Sequence, residues 1–225
     1  PKFVTTPVVY LLIGCLPLEA EVDLQKLSLF GCLTRSNNST LLDIASRQLA
    51  IKDWSSKSWF TGLSKLLIKY SLPPATELLS RPLTKFQYKS LTKRAVNKYW
   101  TEELKIQCAE KSSLKFCNTD NLSTYKHHII WELARHSRRN ARRAVTKIRL
   151  ITGVYIFQST RVKFDSNSDT KDGICKLCTT GIEDMTHFLL ECPALSPVRT
   201  KFYPMWEQKV VKVFGCYSWN RIKSN

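Results

Sequence analysis

The sequence predicts a mainly α-helical protein, in which a helical bundle is followed by a small C-terminal lobe. Glycine is scarce, with 7 in 225 residues, and few glycines favour helix over a turn-rich β design. Hydrophobic residues make up 43% of the chain and charged residues 24%, as in a folded globular protein. Apolar side chains recur at helical spacing through the first half.

The first elements follow from this spacing. The apolar run at 8–16 is too short to span a bilayer and is expected to be buried core. A helix is predicted over 19–33, where acidic residues in the first turn complement the helix dipole. A second helix is expected to begin with Ser39 or Thr40 as its N-cap. A third, over 56–70, has its apolar side chains on one face.

The middle of the chain is divided by prolines and a polar loop. Prolines within 71–83 leave room for at most a short helix. A long amphipathic helix is predicted over 84–107. The polar stretch 118–124 is a loop and the best domain boundary, so two domains are predicted, at 1–117 and 125–225. The chain begins with Pro1, and we expect it to be part of a longer polypeptide.

The net charge of +17 is concentrated in one region, because residues 51–150 carry 21 basic and 7 acidic residues, a balance of +14. A helix is predicted within 127–153, ending near Gly153, with an apolar stripe on one side. Basic residues recur every four positions on another face, where like charges repel by a few tenths of a kcal/mol per pair. This arrangement favours a polyanionic partner, most often nucleic acid. The alternative is a solvated face with counterions.

Phosphate contacts are predicted for the cations of this helix and its approach, together with two cations further along the chain. The predicted contacts are Arg135, Arg138, Arg139, Arg142, Arg143, Lys147, Arg149, Lys176 and Arg199. Beyond the helix, a short extended segment is expected at 154–158 and a loop at 163–173.

Three cysteines and a histidine follow with the spacing C-x2-C-x8-H-x4-C: Cys175, Cys178, His187 and Cys192. On a continuous helix His187 and Cys192 would diverge by about 140°. Pro193 resolves this, because the residue before a proline leaves the α region, so a helix over 185–191 should stop before Cys192. Three thiolates and an imidazole suit one structural Zn²⁺ per chain, with no open position for catalysis.

The alternative for this cluster is a set of buried small side chains around a core histidine. The remaining cysteines are scattered singly and do not form a framework of spaced pairs, which favours a reducing compartment over a secreted, disulfide-linked protein. The predicted fold class is therefore mainly α, a helical bundle followed by a small structural zinc-binding lobe. We expect an intracellular protein, cytoplasmic and nuclear, without a membrane partner.

The segment CKLCTTGIEDMTHFLLECPALSPVR resembles the CCHC zinc-binding motif near the C-terminus of non-LTR (LINE-type) retrotransposon reverse-transcriptase proteins. Those motifs combine C-x2-C, an acidic residue before a His, a Cys-Pro pair and a downstream Arg, a position that Arg199 fills here. ARRAVTKIRLITGVYIFQ is similar to the basic helix and hydrophobic segment before that motif. PVVYLLIGCLPLEAEVDLQKLSLFGCLTR is similar to the region after the polymerase domain, so residues 1–117 resemble that post-polymerase segment.

The resemblance implies a parent protein that is an RNA-directed DNA polymerase, but this chain is not expected to be an enzyme. Polymerase catalysis needs clustered carboxylates for two magnesium ions, and the chain has no Asp-Asp pair. A restriction-like endonuclease would need carboxylates beyond the cysteine motif, and after Cys192 the only acid is Glu207.

The predicted function is a nucleic-acid-binding C-terminal module that holds element RNA or target DNA for target-primed reverse transcription. Its expected partners are RNA, DNA or both, and the upstream reverse-transcriptase domain of the same polypeptide. The alternative is a zinc-stabilised helical protein-interaction or scaffolding domain, which would show an exposed apolar patch and no salt-sensitive binding of nucleic acid.

Overall fold

The computed structural model describes residues 5–51, 53–162 and 173–223, with side chains as far as Lys212 except at position 210. Contacts divide the chain into two compact units, Pro1–Val154 and Tyr155–Asn225. The described residues are mainly helical, which confirms the predicted fold class. None of their helices is long and apolar enough to cross a membrane.

The helices of the first unit are, in chain order, α1 (Thr6–Ile13), α2 (Leu18–Thr34), α3 (Ser39–Ile51), α4 (Trp59–Lys69), α5 (Ala75–Ser80), α6 (Lys85–Ala109), α7 (Ile129–Ala134) and α8 (Arg138–Ile151). The second unit contains α9 (Gln158–Val162), a π turn at His187–Glu191, a 3-10 turn at Pro193–Leu195 and α10 (Ser196–Lys223). Within the described ranges there is no strand, so the segment expected to be extended at 154–158 forms none: 154–157 have no regular secondary structure, and α9 begins at Gln158. The loop expected at 163–173 lies outside the described residues except for Gly173.

The N-terminal apolar run is part of the core, as predicted. Val8, Leu11 and Leu12 of α1 are at most 3% exposed. Gly14 ends the helix with a φ of +72°, and a Cβ there would lie 2.4 Å from the backbone nitrogen of His127. Only glycine permits both this left-handed conformation and this close approach, so Gly14 allows α1 to pack directly against the segment before α7.

The core of the first unit forms where α1 and α2 pack on α6. Leu27 and Phe30 of α2 are fully buried, as is Val96 of α6. The Tyr88 hydroxyl of α6 donates to the Leu27 carbonyl at 3.0 Å, and its ring lies against Gly31. A long helix with a continuous buried face thus holds the earlier helices together, because hydrophobic burial is the main driving force available to it.

A buried polar network joins three of these helices. Asp23 of α2 is 4% exposed and accepts from the Tyr70 hydroxyl at 2.6 Å. The same hydroxyl accepts from Trp100 Nε1 of α6 at 3.0 Å. Lys69 donates to Asp23 at 3.3 Å and to Glu19 at 3.1 Å. The buried carboxylate is paired and hydrogen-bonded, as burial of a charge requires.

The polar stretch 118–124 is a loop, as predicted, and it is tied to α6. Lys105 donates to the Asp120 carbonyl at 2.6 Å. The buried Thr124 hydroxyl hydrogen-bonds to the Asn97 side chain at 2.9 Å and to the Thr101 hydroxyl at 3.0 Å. These contacts keep the loop within the first unit, and the division by contacts falls between 154 and 155. The domains 1–117 and 125–225 stay a prediction from the sequence.

Candidate metal centre and cationic helix

The first two cysteines lie in a turn that closes on itself. The Cys175 N–H donates to the Gly181 carbonyl at 2.8 Å, and the Thr179 N–H donates to the Cys175 carbonyl at 2.8 Å. The Glu183 N–H and the Gly173 carbonyl form a further bond at 2.9 Å. These backbone bonds fold residues 173–183 into a narrow loop, which brings both thiols of the C-x2-C pair to one side.

His187 and Cys192 are brought together by a π turn. The Cys192 N–H donates to the His187 carbonyl at 2.7 Å, five residues back. Cys192 itself has φ −56° and ψ 117°, outside the helical region, as the following Pro193 requires. Asp184 caps the turn, because its carboxylate accepts from the His187 N–H at 2.8 Å. The helical segment therefore stops before Cys192, as the sequence predicts.

The four side chains converge, and together they could bind a metal ion. The Sγ atoms of Cys175, Cys178 and Cys192 and a ring nitrogen of His187 all lie within 4.8 Å of one another. Cys175 Sγ lies 3.9 Å from Cys192 Sγ, and Cys178 Sγ lies 3.2 Å from His187 Nε2. Cys175 and Cys192 are fully buried, while His187 is 7% exposed.

The thiols differ in their electrostatic surroundings. The Thr180 hydroxyl donates to Cys178 Sγ at 3.3 Å and, with the Thr180 backbone N–H and His187, lowers the pKa of Cys178 to about 6. Burial instead raises the pKa of Cys192. Because the thiolate is the form that binds metal, Cys178 is already a good ligand near neutral pH, whereas Cys192 needs the cation to favour its ionised form.

The imidazole of His187 is held from two sides. A Cβ at Gly181 would lie 3.0 Å from the Cε1 and Nδ1 atoms of the ring, so the glycine leaves just enough room for it. A carboxylate oxygen of Glu191 lies 3.9 Å from Nδ1. Metal-binding histidines commonly have a carboxylate near the nitrogen that does not bind. This arrangement leaves Nε2 directed at Cys178.

Behind the cluster, an aromatic group and α9 support the loop. Phe157 is 5% exposed, and its ring lies 5.7 Å from that of Phe188 and 5.0 Å from that of Tyr155. The Ser159 hydroxyl and N–H both donate to the Glu183 carbonyl, at 2.7 and 3.2 Å. Helix α9 is therefore bonded to the loop 173–183, and Phe157 just before it packs against the π turn that contains Phe188.

Two predicted phosphate contacts lie beside this cluster and differ in their surroundings. Lys176 is exposed. Arg199 is half-buried, and its Nη2 atom donates to the Cys192 carbonyl. The second terminal nitrogen of Arg199 is buried and has no hydrogen-bond partner among the described residues. Arg199 therefore braces the backbone of a cluster residue, and its phosphate contact stays a prediction.

The remaining predicted contacts lie in the first unit, on α8 and just before it. All of them are exposed: Arg135, Arg138, Arg139, Arg142, Arg143, Lys147 and Arg149. Helix α8 contains no acidic residue. Among the described residues none of these seven cations forms an ion pair. Seven cations without an ion pair to any described residue thus lie on one helix and its approach.

The opposite side of α8 is anchored to the first unit. Ala144 is 3% exposed, and Ile148 packs against the hydrophobic core. Gly153 follows the helix with a φ of +67°, and a Cβ there would lie 2.3 Å from the Ser113 carbonyl oxygen. The predicted apolar stripe is therefore largely confirmed; Val145, at its edge, is 43% exposed.

Sequence reasoning missed Thr180, whose hydroxyl donates to Cys178, and Glu191, whose carboxylate lies 3.9 Å from the His187 ring. It expected only flexibility after the C-x2-C pair from Gly181, whose lack of a side chain leaves room for that ring. Spacing alone points to Glu191, since it lies one helical turn after His187. No family model, curated protein or solved structure matches the chain.

Proposed function

We propose that the chain is a nucleic-acid-binding C-terminal module of a retrotransposon reverse-transcriptase protein. It holds element RNA or target DNA during target-primed reverse transcription and has no polymerase or endonuclease site of its own. The observation that carries the proposal is the exposed cationic face of α8, which contains no acidic residue and is anchored to the core on its other side. The module would act in the cytoplasm and the nucleus, beside the upstream reverse-transcriptase domain.

The metal of the cluster is proposed to be one structural Zn²⁺. A tetrahedron with Zn–S bonds of about 2.3 Å and a Zn–N bond of about 2.0 Å has edges of roughly 3.5 to 3.8 Å. The separations of 3.9 Å between Cys175 and Cys192 and 3.2 Å between Cys178 and His187 are close to those edges. Sulfur donors disfavour Mg²⁺ and Ca²⁺, which prefer oxygen. Four protein ligands leave no open position, which supports a structural role.

Metal analysis of the purified protein tests this assignment. We expect one zinc per chain, and none in Cys175→Ser, because a buried ligand is lost. Cys32→Ser is the matched control, since Cys32 is exposed and lies in the other unit. A zinc content near zero in wild-type protein purified without chelators, or full zinc in Cys175→Ser, would contradict the assignment.

Binding of nucleic acid would come mainly from phosphate contacts. Each cation that neutralises a phosphate releases counterions, so affinity falls steeply with salt. The α8 cations form no ion pair with the described residues, and their repulsion along the helix is relieved when an anion lies against them. The alternative of a solvated face with counterions predicts weak binding with no dependence on these residues.

Fluorescence anisotropy with RNA and DNA oligonucleotides, titrated over a range of salt, tests the proposal. In the test variant six α8 cations become glutamine: Arg138, Arg139, Arg142, Arg143, Lys147 and Arg149. In the control variant six exposed cations elsewhere in the first unit become glutamine: Lys85, Lys89, Lys93, Arg94, Lys98 and Lys111. We plot the logarithm of the binding constant against the logarithm of the salt concentration. The magnitude of the slope should fall by roughly five in the test variant and change little in the control. An equal change of slope in the two variants would refute the assignment of the phosphate contacts to α8.

A second candidate function is a zinc-stabilised protein-interaction or scaffolding domain. It is favoured by exposed apolar side chains along the first half of α10: Val198, Phe202, Met205 and Trp206 are 51–67% exposed. Such a set is typical of an interaction surface. This candidate predicts no salt-sensitive binding of RNA or DNA, which the same titration measures.

A further inference from the structure

The cations of α8 form two rows. Successive residues of an α-helix are about 100° apart around the axis. With Arg138 placed at 0° around the helix axis, three cations lie between about 0° and 40°, and three others lie between about 100° and 180°. We define the first row as Arg138, Arg142 and Arg149, and the second row as Arg139, Arg143 and Lys147. The centres of the two rows are about 120° apart, with the apolar stripe on the far side.

Two rows of cations are more than is required to neutralise the phosphates of a single nucleic-acid strand. One strand lying along a helix presents one line of charge, which one row can neutralise. A helix lying in a groove between two strands needs cations on both flanks. The major groove of B-DNA is about 12 Å wide and an α-helix with its side chains is about 10–12 Å across, so the two fit. The major groove of duplex RNA is too narrow and deep for side chains to read.

The connection into α8 has the length that is typical of a helix-turn-helix. Helix α7 ends at Ala134 and α8 begins at Arg138, so three residues join them. Ser137 caps α8, because its hydroxyl oxygen accepts from the Asn140 N–H at 3.1 Å. The two helices pack against each other. Helix-turn-helix motifs join two helices by a turn of three or four residues, and the second helix enters the major groove.

We propose that α7, the turn at 135–137 and α8 form a helix-turn-helix that seats α8 in the major groove of duplex DNA. The first row contacts the phosphates of one strand and the second row those of the other. The inference rests on the proposed function and deepens it, since it names duplex DNA as the ligand of the same cationic face. RNA and single strands are the competing ligands of the test.

Both helices are held as a fixed pair, as a groove-binding element requires. Trp131 Nε1 of α7 donates to the Leu12 carbonyl at 2.9 Å, and the His128 N–H donates to the same carbonyl at 3.0 Å. Ile130 is 6% exposed. On the α8 side, Ile148 packs against the core. A preorganised helix loses little conformational freedom on binding, which favours affinity.

The first experiment compares three ligands of one base sequence: duplex DNA, duplex RNA and single-stranded DNA. Anisotropy titrations use the full chain with its metal at several salt concentrations. We expect duplex DNA to bind about tenfold or more tightly than duplex RNA. We also expect Gln substitution of either row to lower the duplex-DNA salt slope by roughly two to three. The triple variant Lys85→Gln, Lys89→Gln, Lys93→Gln matches the charge loss on α6 and should leave the slope unchanged.

The outcomes separate this inference from the proposed function. Equal binding of duplex RNA and DNA, or a slope that falls for one row only, overturns the helix-turn-helix inference and leaves nucleic-acid binding in place. Absence of salt-sensitive binding to all three ligands overturns both. All six replaced side chains are exposed, so circular dichroism should show wild-type folding.

A second measurement uses the unmodified chain and therefore does not depend on how the variants fold. A small molecule that occupies the major groove, such as methyl green, should displace the protein from duplex DNA. A minor-groove ligand of the distamycin type should leave it bound. The reverse order of competition overturns the inference, because it would place the protein in the minor groove.

Discussion

Individual residues around the metal cluster determine how well it can hold an ion. Gly181 is the clearest case, since the ring of His187 lies where a side chain would begin. Thr180 acts by another route: its hydroxyl donates to Cys178 Sγ and favours the thiolate. Neither residue is a ligand, yet each acts directly on one. Residues of this kind commonly change metal affinity when they are replaced.

Gly181→Ala should weaken metal binding. The new Cβ would lie 3.0 Å from two ring atoms of His187, which forces the imidazole to shift away from its position beside Cys178. We expect a loss of about tenfold in zinc affinity, measured by competition with a chelator of known affinity. Gly62→Ala is the matched control, because a Cβ there meets nothing within 4 Å. Unchanged affinity in Gly181→Ala would show that the ring has room to move without cost.

At the scale of elements, a buried network sets how α2, α4 and α6 pack. Apolar contacts tolerate small shifts, but the bonds from Tyr70 to Asp23 and from Trp100 to Tyr70 fix one arrangement. Lys69 balances the buried carboxylate. Partial burial acts to lower the pKa of Lys69, but the hydrogen bond to Glu19 and the neighbouring Tyr70 and Asp23 outweigh it, so the pKa is raised. The ammonium therefore stays charged throughout the neutral range.

The same network predicts a loss of stability at alkaline pH. Burial, together with the hydrogen bond to Asp23, raises the pKa of Tyr70 from 10.0 to about 12. The folded state therefore favours the protonated phenol, so this stabilisation is complete below pH 10 and is lost as the pH rises toward 12. The free energy of unfolding should fall by about 2 kcal/mol across that interval through Tyr70 alone.

Tyr70→Phe separates this contribution from the rest of the chain. Its free energy of unfolding at neutral pH should be lower by about 1–3 kcal/mol, because Trp100 loses its acceptor and Asp23 a donor. Above pH 10 its stability should decline less steeply than that of the wild type. Tyr125→Phe, at a side chain that is 72% exposed, serves as the control. Parallel alkaline curves for wild type and Tyr70→Phe would rule out Tyr70 as the titrating group.

At the scale of the molecule, the two units depend on different sources of stability. The first unit has an extensive apolar core that includes Leu27, Phe30 and Val96. Among the described residues of the second unit, the buried side chains are Phe157 and three of the metal-cluster residues. We therefore expect the proposed zinc to stabilise this unit, as metals commonly do in small domains with little apolar burial.

Removal of the metal should therefore unfold only the second unit. With a strong chelator, amide hydrogen exchange at 173–195 should become fast, because the cluster no longer joins the two halves of the loop. Amides of α2 and α6 should keep their protection, since their core lies within the first unit. Re-addition of zinc should restore the lost protection. Equal loss of protection in both units would contradict this division.

Much of the fold follows from local sequence, and for a physical reason. Three local signals act over a few residues: helix periodicity, the prolines within 71–83 and Gly153 after α8. Their effects can therefore be predicted without tertiary contacts. Helices α1, α9 and α10 were not predicted from the sequence, and the extended segment expected at 154–158 forms no strand. Its β-branched and aromatic residues are typical of strands, but a strand needs a partner, and Phe157 packs in an aromatic group instead.

The sequence by itself determined helices α2 to α6 and α8, the spacing of Cys175, Cys178, His187 and Cys192, and the exit from the helix before Pro193. Each of these depends on backbone geometry within a short segment. Only the tertiary structure decided which side chains meet across the chain. It joined Asp23 to Tyr70 and Trp100, and it directed Arg199 to a backbone carbonyl. These contacts depend on the packing of whole helices and loops, which no local pattern specifies.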